Sequence, residues 1–229
     1  MREIVLDTET TGLDPNSGDR IVEIGAVELI NHMPSGRTYH QYINPQRAMP
    51  QEAFEVHGLG DDFLADKPVF KAIAQEFVDF VGKTKMVIHN ASFDMKFLNA
   101  ELKWAGFAPL PWDQALDTLA IARKKFPGAS ASLDSLCRRF GIDNSNRTLH
   151  GALLDSEILA EVYLELIGGR QPDLVLSETQ TTVTTNHSQD WRPQARPKAL
   201  PQRLTPDEAK AHAAFVETLG EDALWRKFK

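Results

Sequence analysis

The stretch EIVLDTETTG, residues 3–12, places two acidic residues at the end of a short apolar run. The apolar run contains β-branched residues and is typical of a buried β-strand. Because strand side chains point to alternate faces, Asp7 and Glu9 should project from the same face. Two neighbouring carboxylates repel each other unless one is protonated or both bind a cation. The stretch therefore predicts either a solvated strand end or a cation site.

The segments that follow predict an α/β fold, a mixed sheet flanked by helices. Three early strands, over residues 3–8, 20–30 and 37–43, should form an antiparallel meander. A short buried strand is expected over residues 86–89. Strands followed by alternating strand and helix indicate helices packed on one central sheet. Apolar residues at helical spacing predict helices over residues 68–81, 92–105, 118–125, 133–140 and 152–167.

The composition changes after Gly169 and divides the chain into three parts. Residues 1–169 should form the main domain. Residues 170–204 should connect this domain to the last part, and within them residues 177–203, rich in Thr, Ser, Gln and Pro, favour a flexible linker. Within residues 205–229, Thr205 and Glu208 form the capping-box pattern of a helix start. This last segment has too little apolar surface to fold alone, so we expect a docking peptide.

The charge of the chain limits how it could act on nucleic acid. The formal net charge is −7, with −8 on residues 1–169 and +1 on residues 170–229. An acidic protein binds a polyanion poorly, because phosphate neutralisation supplies most non-specific affinity. Action on DNA would therefore need metal cations in the site or a partner that holds the DNA nearby.

The single cysteine and the apolar pattern indicate a protein of a reducing cytosol. Cys137 has no partner for an internal disulfide, which favours a reducing compartment. The start of the chain, residues 1–7, reaches a charged residue too soon for the apolar stretch of a signal peptide, so we expect none. No apolar run approaches the roughly 20 residues that span a bilayer, so we expect no membrane contact.

Two further motifs place acids and a histidine near helix starts. In HNASFD, residues 89–94, Asp94 falls in the first turn of a predicted helix, where it could equally be a capping residue. In HGALLD, His150 and Asp155 would lie on different faces of one continuous helix. They converge more easily if His150 lies in the loop before the helix. A lone histidine there would more often be structural.

Together, these three motifs resemble those of the DEDDh exonuclease family in residue type, order and spacing. An ordered set of five such residues seldom arises by chance. The resemblance covers about residues 3–169 and is strongest to the members that proofread for a replicative polymerase. It implies a ribonuclease H-like fold and a 3′→5′ exonuclease that removes mispaired nucleotides from DNA. An all-oxygen carboxylate site favours hard divalent cations, Mg²⁺ or Mn²⁺.

The resemblance also implies a role for each motif residue in a two-metal mechanism. Asp7 would bridge both cations, and Glu9 and Asp155 would complete the site that holds the attacking water. Asp94 would serve the second cation. His150 would be the general base, a role that suits histidine because its ordinary pKa of about 6.5 lies close to neutral. The product would be a nucleoside 5′-monophosphate.

Two residues outside the motifs match positions that contact the terminal nucleotide in this family. They are Glu52 and His57, in the stretch EAFEVHG. The resemblance implies that both bind substrate, together with Asp7, Glu9 and Asp155. The alternative is an ordinary surface helix residue and a hydrogen-bonded loop histidine.

The tail resembles two protein-binding peptides of replication proteins. Gln171, Leu174 and Leu176 fit a sliding-clamp motif, but Leu176 replaces its aromatic residue, so the contact should be weak. The alternative is a linker boundary without function. Trp225 and Phe228 resemble the end that anchors proofreading subunits to the catalytic subunit of the polymerase. The sequence leaves open whether a small accessory subunit also binds.

Two other functions compete with proofreading. An RNA-trimming exonuclease of the same family would keep the chemistry and change the substrate. A non-catalytic adaptor would use the domain as a scaffold and the tail for binding. The complete set of four acids and His150 argues against the adaptor, because a scaffold needs no such set.

Overall fold

The computed structural model describes residues 1–145, 147, 149–169 and 204–220. The first three ranges belong to one compact unit, and residues 204–220 belong to a second. The strands of the first unit are β1 (Arg2–Thr10), β2 (Ile21–Ile30), β3 (Met33–Tyr42), β4 (Lys85–Ile88) and β5 (Ala115–Asp117). They form one sheet in the order β3-β2-β1-β4-β5. The first three strands are antiparallel, and β4 and β5 run parallel to β1.

Helices cover both faces of this sheet. Most of them follow β4, and two short ones lie between β3 and the first long helix. In chain order they are α1 (Gln51–His57), α2 (Asp61–Leu64), α3 (Phe70–Val81), α4 (Ala91–Ala105), α5 (Thr118–Lys125), α6 (Leu133–Phe140) and α7 (Ala152–Leu166).

The central strand β1 contributes to the hydrophobic core on both of its faces. Ile4 and Leu6 pack into the cluster that contains the aromatic residues of α3 and α4. Val5 points the other way and packs with Leu159 and Tyr163 of α7. Burial on two faces explains why this strand begins as an uninterrupted apolar run.

A glycine in β2 lets α7 lie directly on the sheet. Gly25 is paired with Asp7 of β1. A Cβ atom at Gly25 would lie only 2.1 Å from the carbonyl carbon of Ala152 and from the nitrogen of Leu153. The Ser156 hydroxyl donates a hydrogen bond of 2.9 Å to the Gly25 carbonyl. The first turn of α7 is therefore fixed against β2 beside the end of β1.

A buried ion pair fixes α4 against the start of β2. The Arg20 guanidinium donates to both carboxylate oxygens of Glu101, at 2.7 and 2.8 Å. One of these oxygens also accepts from the backbone N–H of Ile21 at 3.2 Å. Because these bonds join two elements at a fixed angle, α4 has a defined position beside the sheet.

The predicted fold class is confirmed, and the antiparallel meander is present. The third strand begins at Met33 rather than at Arg37, because a tight turn at Asn31 and His32 returns the chain at once. Three short elements, α1, α2 and β5, are not predicted from the sequence. They span seven, four and three residues, too few for a hydrophobic period to show.

The second unit contains the helix α8 (Pro206–Thr218). The Thr205 hydroxyl accepts from the Glu208 backbone, and the Glu208 carboxylate accepts from the Thr205 backbone. The capping box is therefore present as the sequence predicts. The proposed linker lies outside the described residues. Among the helices of the described ranges, none is long and apolar enough to cross a membrane.

We expect Gly25→Ala to destabilise the domain by about 1–3 kcal/mol, the usual cost of overpacking a core. The added methyl group would meet backbone atoms of α7, which cannot rotate away as a side chain could. Urea unfolding followed by circular dichroism would measure the change. Gly151→Ala is the matched control, since a Cβ there meets nothing within 4 Å. Equal stability of the two variants would contradict the tight contact.

Candidate active site

Two of the predicted acids lie at the carboxyl end of β1, beside α7. Asp7 is paired with Gly25, and Glu9 is paired with Glu23 of β2. The register shifts between Glu9 and Thr10. Such irregularities end regular pairing and redirect side chains next to functional sites. The strand therefore ends where its two carboxylates face the cleft.

The third acid is joined to this pair by a hydrogen bond. Asp94 lies in the first turn of α4, and its Oδ1 accepts from the Thr8 hydroxyl at 2.7 Å. Thr8 stands between the two acids of β1. The chain enters α4 through Asn90, which has a left-handed φ of 65° and donates its N–H to Asp117 at 3.0 Å. This turn directs the start of α4 towards the end of β1.

The fourth acid and the histidine lie at the start of α7. Asp155 is in the first turn, and its N–H donates to the Gly151 carbonyl at 2.8 Å. His150 lies in the loop before the helix, as expected, with its ring half exposed. Its backbone N–H donates to the Val56 carbonyl of α1 at 3.1 Å. The Nδ1 atom of His150 lies 3.4 Å from Oδ2 of Asp155.

The structure brings all five motif residues to one cleft. Glu9, His150 and Asp155 each offer one possible ligand atom, and these atoms lie within 4.8 Å of one another. Asp7 and Asp94 line the same cleft, whose volume is about 670 Å³. Residues from β1, α4 and the start of α7 therefore converge, although they are far apart in the sequence.

Burial and mutual repulsion raise the pKa values of three of the acids. Burial raises the pKa of Glu9 to about 8, with further contributions from Asp155 and Glu23. Burial likewise raises the pKa of Asp94 to about 7, against the hydrogen bond from Thr8 that lowers it. The pKa of Asp7 is raised by burial and by the neighbouring carboxylates. Carboxylates in such a site are more stable when they are protonated or bound to a cation than when they are ionised and unpaired.

The donor atoms of the cleft suit a divalent cation. Oε1 of Glu9 is buried and has no hydrogen-bond partner among the described residues. A buried carboxylate oxygen without a partner is costly, and a cation would satisfy it. Oxygen-rich sites of several carboxylates favour hard cations. The residues therefore fit a metal site, and Glu9 and Asp155 lie where one ion could contact both.

A guanidinium that the sequence analysis did not assign also lies in this cleft. Arg147 donates from Nη2 to Asp155 at 2.7 Å and from Nη1 to Asp134 at 2.9 Å. Burial raises the pKa of Asp155, but hydrogen bonds from His150 and Arg147 hold it below its ordinary value. The only sequence signal was a basic residue three positions before His150.

A second pocket adjoins the first and contains the two residues expected to bind the terminal nucleotide. Its volume is about 310 Å³, and Glu9 and Phe93 line both pockets. Glu52 lies on the exposed side of α1 at the pocket rim. His57 is buried, and its Nδ1 accepts from the Leu59 N–H at 3.0 Å. Burial lowers the pKa of His57, so the neutral ring carries its proton on Nε2.

Known proteins resemble this chain over nearly its whole length. Residues 4–163 match the family model for exonucleases of the RNase T type. The DNA polymerase III subunit epsilon of Rickettsia felis is 48% identical over 225 residues, which cover 96% of this chain and 97% of that protein. The chain belongs to the family of DNA polymerase III epsilon subunits. The epsilon subunit of Escherichia coli is 43% identical over 241 residues, covering 98% of this chain and 97% of that protein.

A solved structure supports the same fold for this epsilon-family chain. The nuclease domain of 3′hExo, a DEDDh family member bound to rAMP, superposes with a TM-score of 0.64. It is 20% identical and covers 72% of this chain and 91% of that one. The resemblance to DEDDh exonucleases is confirmed, and so is the expected enzyme class, an exonuclease.

The predicted tail contacts of this epsilon-family chain lie outside the described residues. The roles expected for these residues in binding the clamp and the polymerase stay predictions. They are Gln171, Leu174, Leu176, Trp225 and Phe228.

We expect the metal-free protein to lose thermal stability between about pH 6.5 and about pH 8.5. Glu9 and Asp94 have folded pKa values of about 8 and about 7, above their unfolded values. The folded state therefore holds more protons than the unfolded state in this range, and raising the pH removes that stabilisation. Melting temperatures in EDTA, measured across the range, would test this.

A variant of one acid supplies the control for this pH dependence. Glu9→Gln should flatten the slope, because the amide does not titrate. Added Mn²⁺ should raise the melting temperature of the natural chain more at the upper end of the range, where the carboxylates are ionised. A melting temperature in EDTA that stays constant or rises would contradict the assignment.

Proposed function

We propose that this protein removes mispaired nucleotides from the 3′ end of DNA as the proofreading subunit of the replicative polymerase. The observation that carries the proposal is the convergence of Asp7, Glu9, Asp94 and Asp155 with His150 in one cleft. Family membership supports the polymerase setting, and the acidic cleft supports the chemistry. This role places the protein in the bacterial cytoplasm at the replisome.

The four acids of the cleft would hold two divalent cations, Mg²⁺ or Mn²⁺. Asp7 would serve both ions, Glu9 and Asp155 the ion nearer the attacking water, and Asp94 the other. When bound, such ions stabilise the charge that develops on the scissile phosphate and on the leaving oxygen. The unpaired Oε1 of Glu9 and the raised pKa values of the acids support this assignment.

His150 would take the proton of the attacking water. Its ring is half exposed at the rim of the cleft, and its backbone is fixed by the Val56 carbonyl. The ring can therefore reach a water molecule without leaving its place in the loop. Water attack at the terminal phosphodiester releases a nucleoside 5′-monophosphate and a shortened strand. A general base of this kind contributes a factor of about 10²–10⁴ in rate.

The second pocket would hold the terminal nucleotide next to the carboxylates. Its walls come from residues 8–13 of the chain and from α1. The Nε2–H of His57 makes no well-formed hydrogen bond among the described residues, although the Thr10 backbone lies near enough to raise the pKa of the ring, and it could donate to a substrate oxygen. Glu52 at the rim is an acceptor for a sugar hydroxyl. Because both pockets share Glu9, a nucleotide bound here would present its phosphate to the acids.

The tail would hold the enzyme at the polymerase. An acidic domain has little affinity of its own for DNA, and tethering gives an effective concentration that can reach the millimolar range. Trp225 and Phe228 would bind the catalytic subunit, and residues 171–176 would contact the sliding clamp weakly. A small accessory subunit is a further possible partner.

We expect Asp7→Ala to abolish nuclease activity and His150→Gln to reduce turnover by about 10²-fold or more. The first variant loses a carboxylate of the metal site, whereas the second keeps the acids and loses the proton acceptor. Release of mononucleotides from a mispaired DNA 3′ end, with and without EDTA, would measure both. A matched RNA oligonucleotide tests the RNA-trimming alternative.

The controls separate chemistry from folding. Circular dichroism should show that both variants fold, and isothermal titration with Mn²⁺ should show that His150→Gln still binds metal. If folded Asp7→Ala were as active as the natural chain, the proposed metal site would be wrong. If His150→Gln had the turnover of the natural chain, His150 would not be the general base. Faster digestion of the RNA would favour the trimming function.

We expect a chain truncated after Gly169 to keep its hydrolytic rate on short oligonucleotides and to lose binding to the polymerase catalytic subunit. All residues of the two pockets lie before this point. Co-elution of the two proteins in size-exclusion chromatography would measure binding, and mononucleotide release would measure activity. Normal co-elution of the truncated chain would refute the tether.

A further inference from the structure

Arg147 covers both oxygens of Asp155, the acid at the start of α7. Its Nε donates to Oδ1, and its Nη2 donates to Oδ2 at 2.7 Å. Both side chains are almost fully buried, with 9% of Arg147 and 4% of Asp155 exposed. Paired, charge-assisted bonds of this kind are among the strongest that side chains make. A cation that binds this carboxylate must therefore compete with these bonds.

The same guanidinium also contacts the side chain of His150. Nη2 of Arg147 lies 2.8 Å from Nδ1 of His150. The same atom lies 3.4 Å from Nε2 of this ring, so the guanidinium lies over the face of the imidazole. Arg147 therefore covers the histidine as well as the acid at the start of α7.

The positive charge of Arg147 acts on the acids of β1 as well. It lowers the pKa values of Asp7 and Glu9, opposing the effects of burial and of the neighbouring carboxylates. Its own pKa is raised by Asp155 and by the other acids nearby. In electrostatic terms, Arg147 does in this arrangement part of what a metal ion would do.

We propose that Arg147 is the built-in counter-cation of the metal-free site and that it competes with a divalent cation for Asp155. The inference rests on the metal site of the proposed function. A divalent cation at Asp155 would face the guanidinium at short range and would have to replace at least one of its two charge-assisted bonds to this carboxylate. Displacement of Arg147 would also uncover the ring of His150.

Asp134 of α6 offers Arg147 a second anchor. Nη1 of Arg147 already donates to Asp134 at 2.9 Å, and Asp134 is half exposed. The Asn144 amide, in the loop that precedes Arg147, donates to the same carboxylate at 3.0 Å. The guanidinium can therefore leave Asp155 and keep a charged partner at the edge of the cleft.

Titration of the full-length chain with Mn²⁺, followed by calorimetry, tests the proposal without relying on activity. Arg147→Met should bind Mn²⁺ about tenfold more tightly than the natural chain, because no charge-assisted bond has to be broken first. Its metal-free form should melt at a lower temperature and should gain more on adding Mn²⁺. Arg123→Met is the matched control, since Arg123 lines the same cleft but is exposed and makes no hydrogen bond to Asp155.

The possible outcomes separate this inference from the function on which it rests. Failure of the natural chain to bind Mn²⁺ would reject the metal site itself. The proposal would be overturned if Arg147→Met bound Mn²⁺ no more tightly than the natural chain. It would also be overturned if the Arg123→Met control gained as much affinity for Mn²⁺ as Arg147→Met. If Arg147→Met does not fold, Arg147→Lys keeps the charge but loses the paired geometry, and its affinity should still exceed the natural value. An unchanged affinity in that variant would equally reject the proposal.

Discussion

The site depends on the close contact between α7 and β2 at Gly25. Because this position has no side chain, the backbone of Ala152 can lie against the sheet, and the hydroxyl of Ser156 can reach the Gly25 carbonyl. The contact lies directly beside Asp7 in the next strand. It thereby sets how far Asp155, one turn into α7, stands from the carboxylates of β1. A larger residue in β2 would separate acids that the chemistry needs together.

The close approach of these carboxylates is electrostatically unfavourable, and the folded chain does not fully compensate for it. Burial and mutual repulsion raise the pKa values of three acids, and of the four only Asp155 has a pKa held below its ordinary value, through hydrogen bonds from His150 and Arg147. The hydrophobic core around Ile4 and Leu6 holds the end of β1 in place despite this repulsion. The acidic cleft therefore favours cations. In the proposed function these cations would bind the phosphate of the substrate, although the overall charge of the chain is negative.

The sequence predicted those parts of the site that follow from local geometry. Strand alternation put Asp7 and Glu9 on one face, and helix phase favoured a position of His150 before α7. Both arrangements are present. Arg147 escaped prediction because the partner of a long basic side chain depends on tertiary packing. The helix α1 was not predicted because its seven residues are too few to show a hydrophobic period. The hydrogen bond from His150 to Val56 of this helix was therefore not predicted either. The predicted clamp and polymerase contacts, at residues 171–176, 225 and 228, lie outside the residues that the structure describes.

The hydrogen bond from His150 to the Val56 carbonyl has a consequence for how the end of a substrate strand would be recognised. Val56 belongs to α1, and α1 also forms a wall of the pocket next to the acids. In the proposed function, the backbone of the general base would thus be bonded to the same helix that borders the terminal nucleotide. A base that shifted α1 would then shift His150 as well. One main-chain hydrogen bond would in this way link the fit of the nucleotide to its hydrolysis.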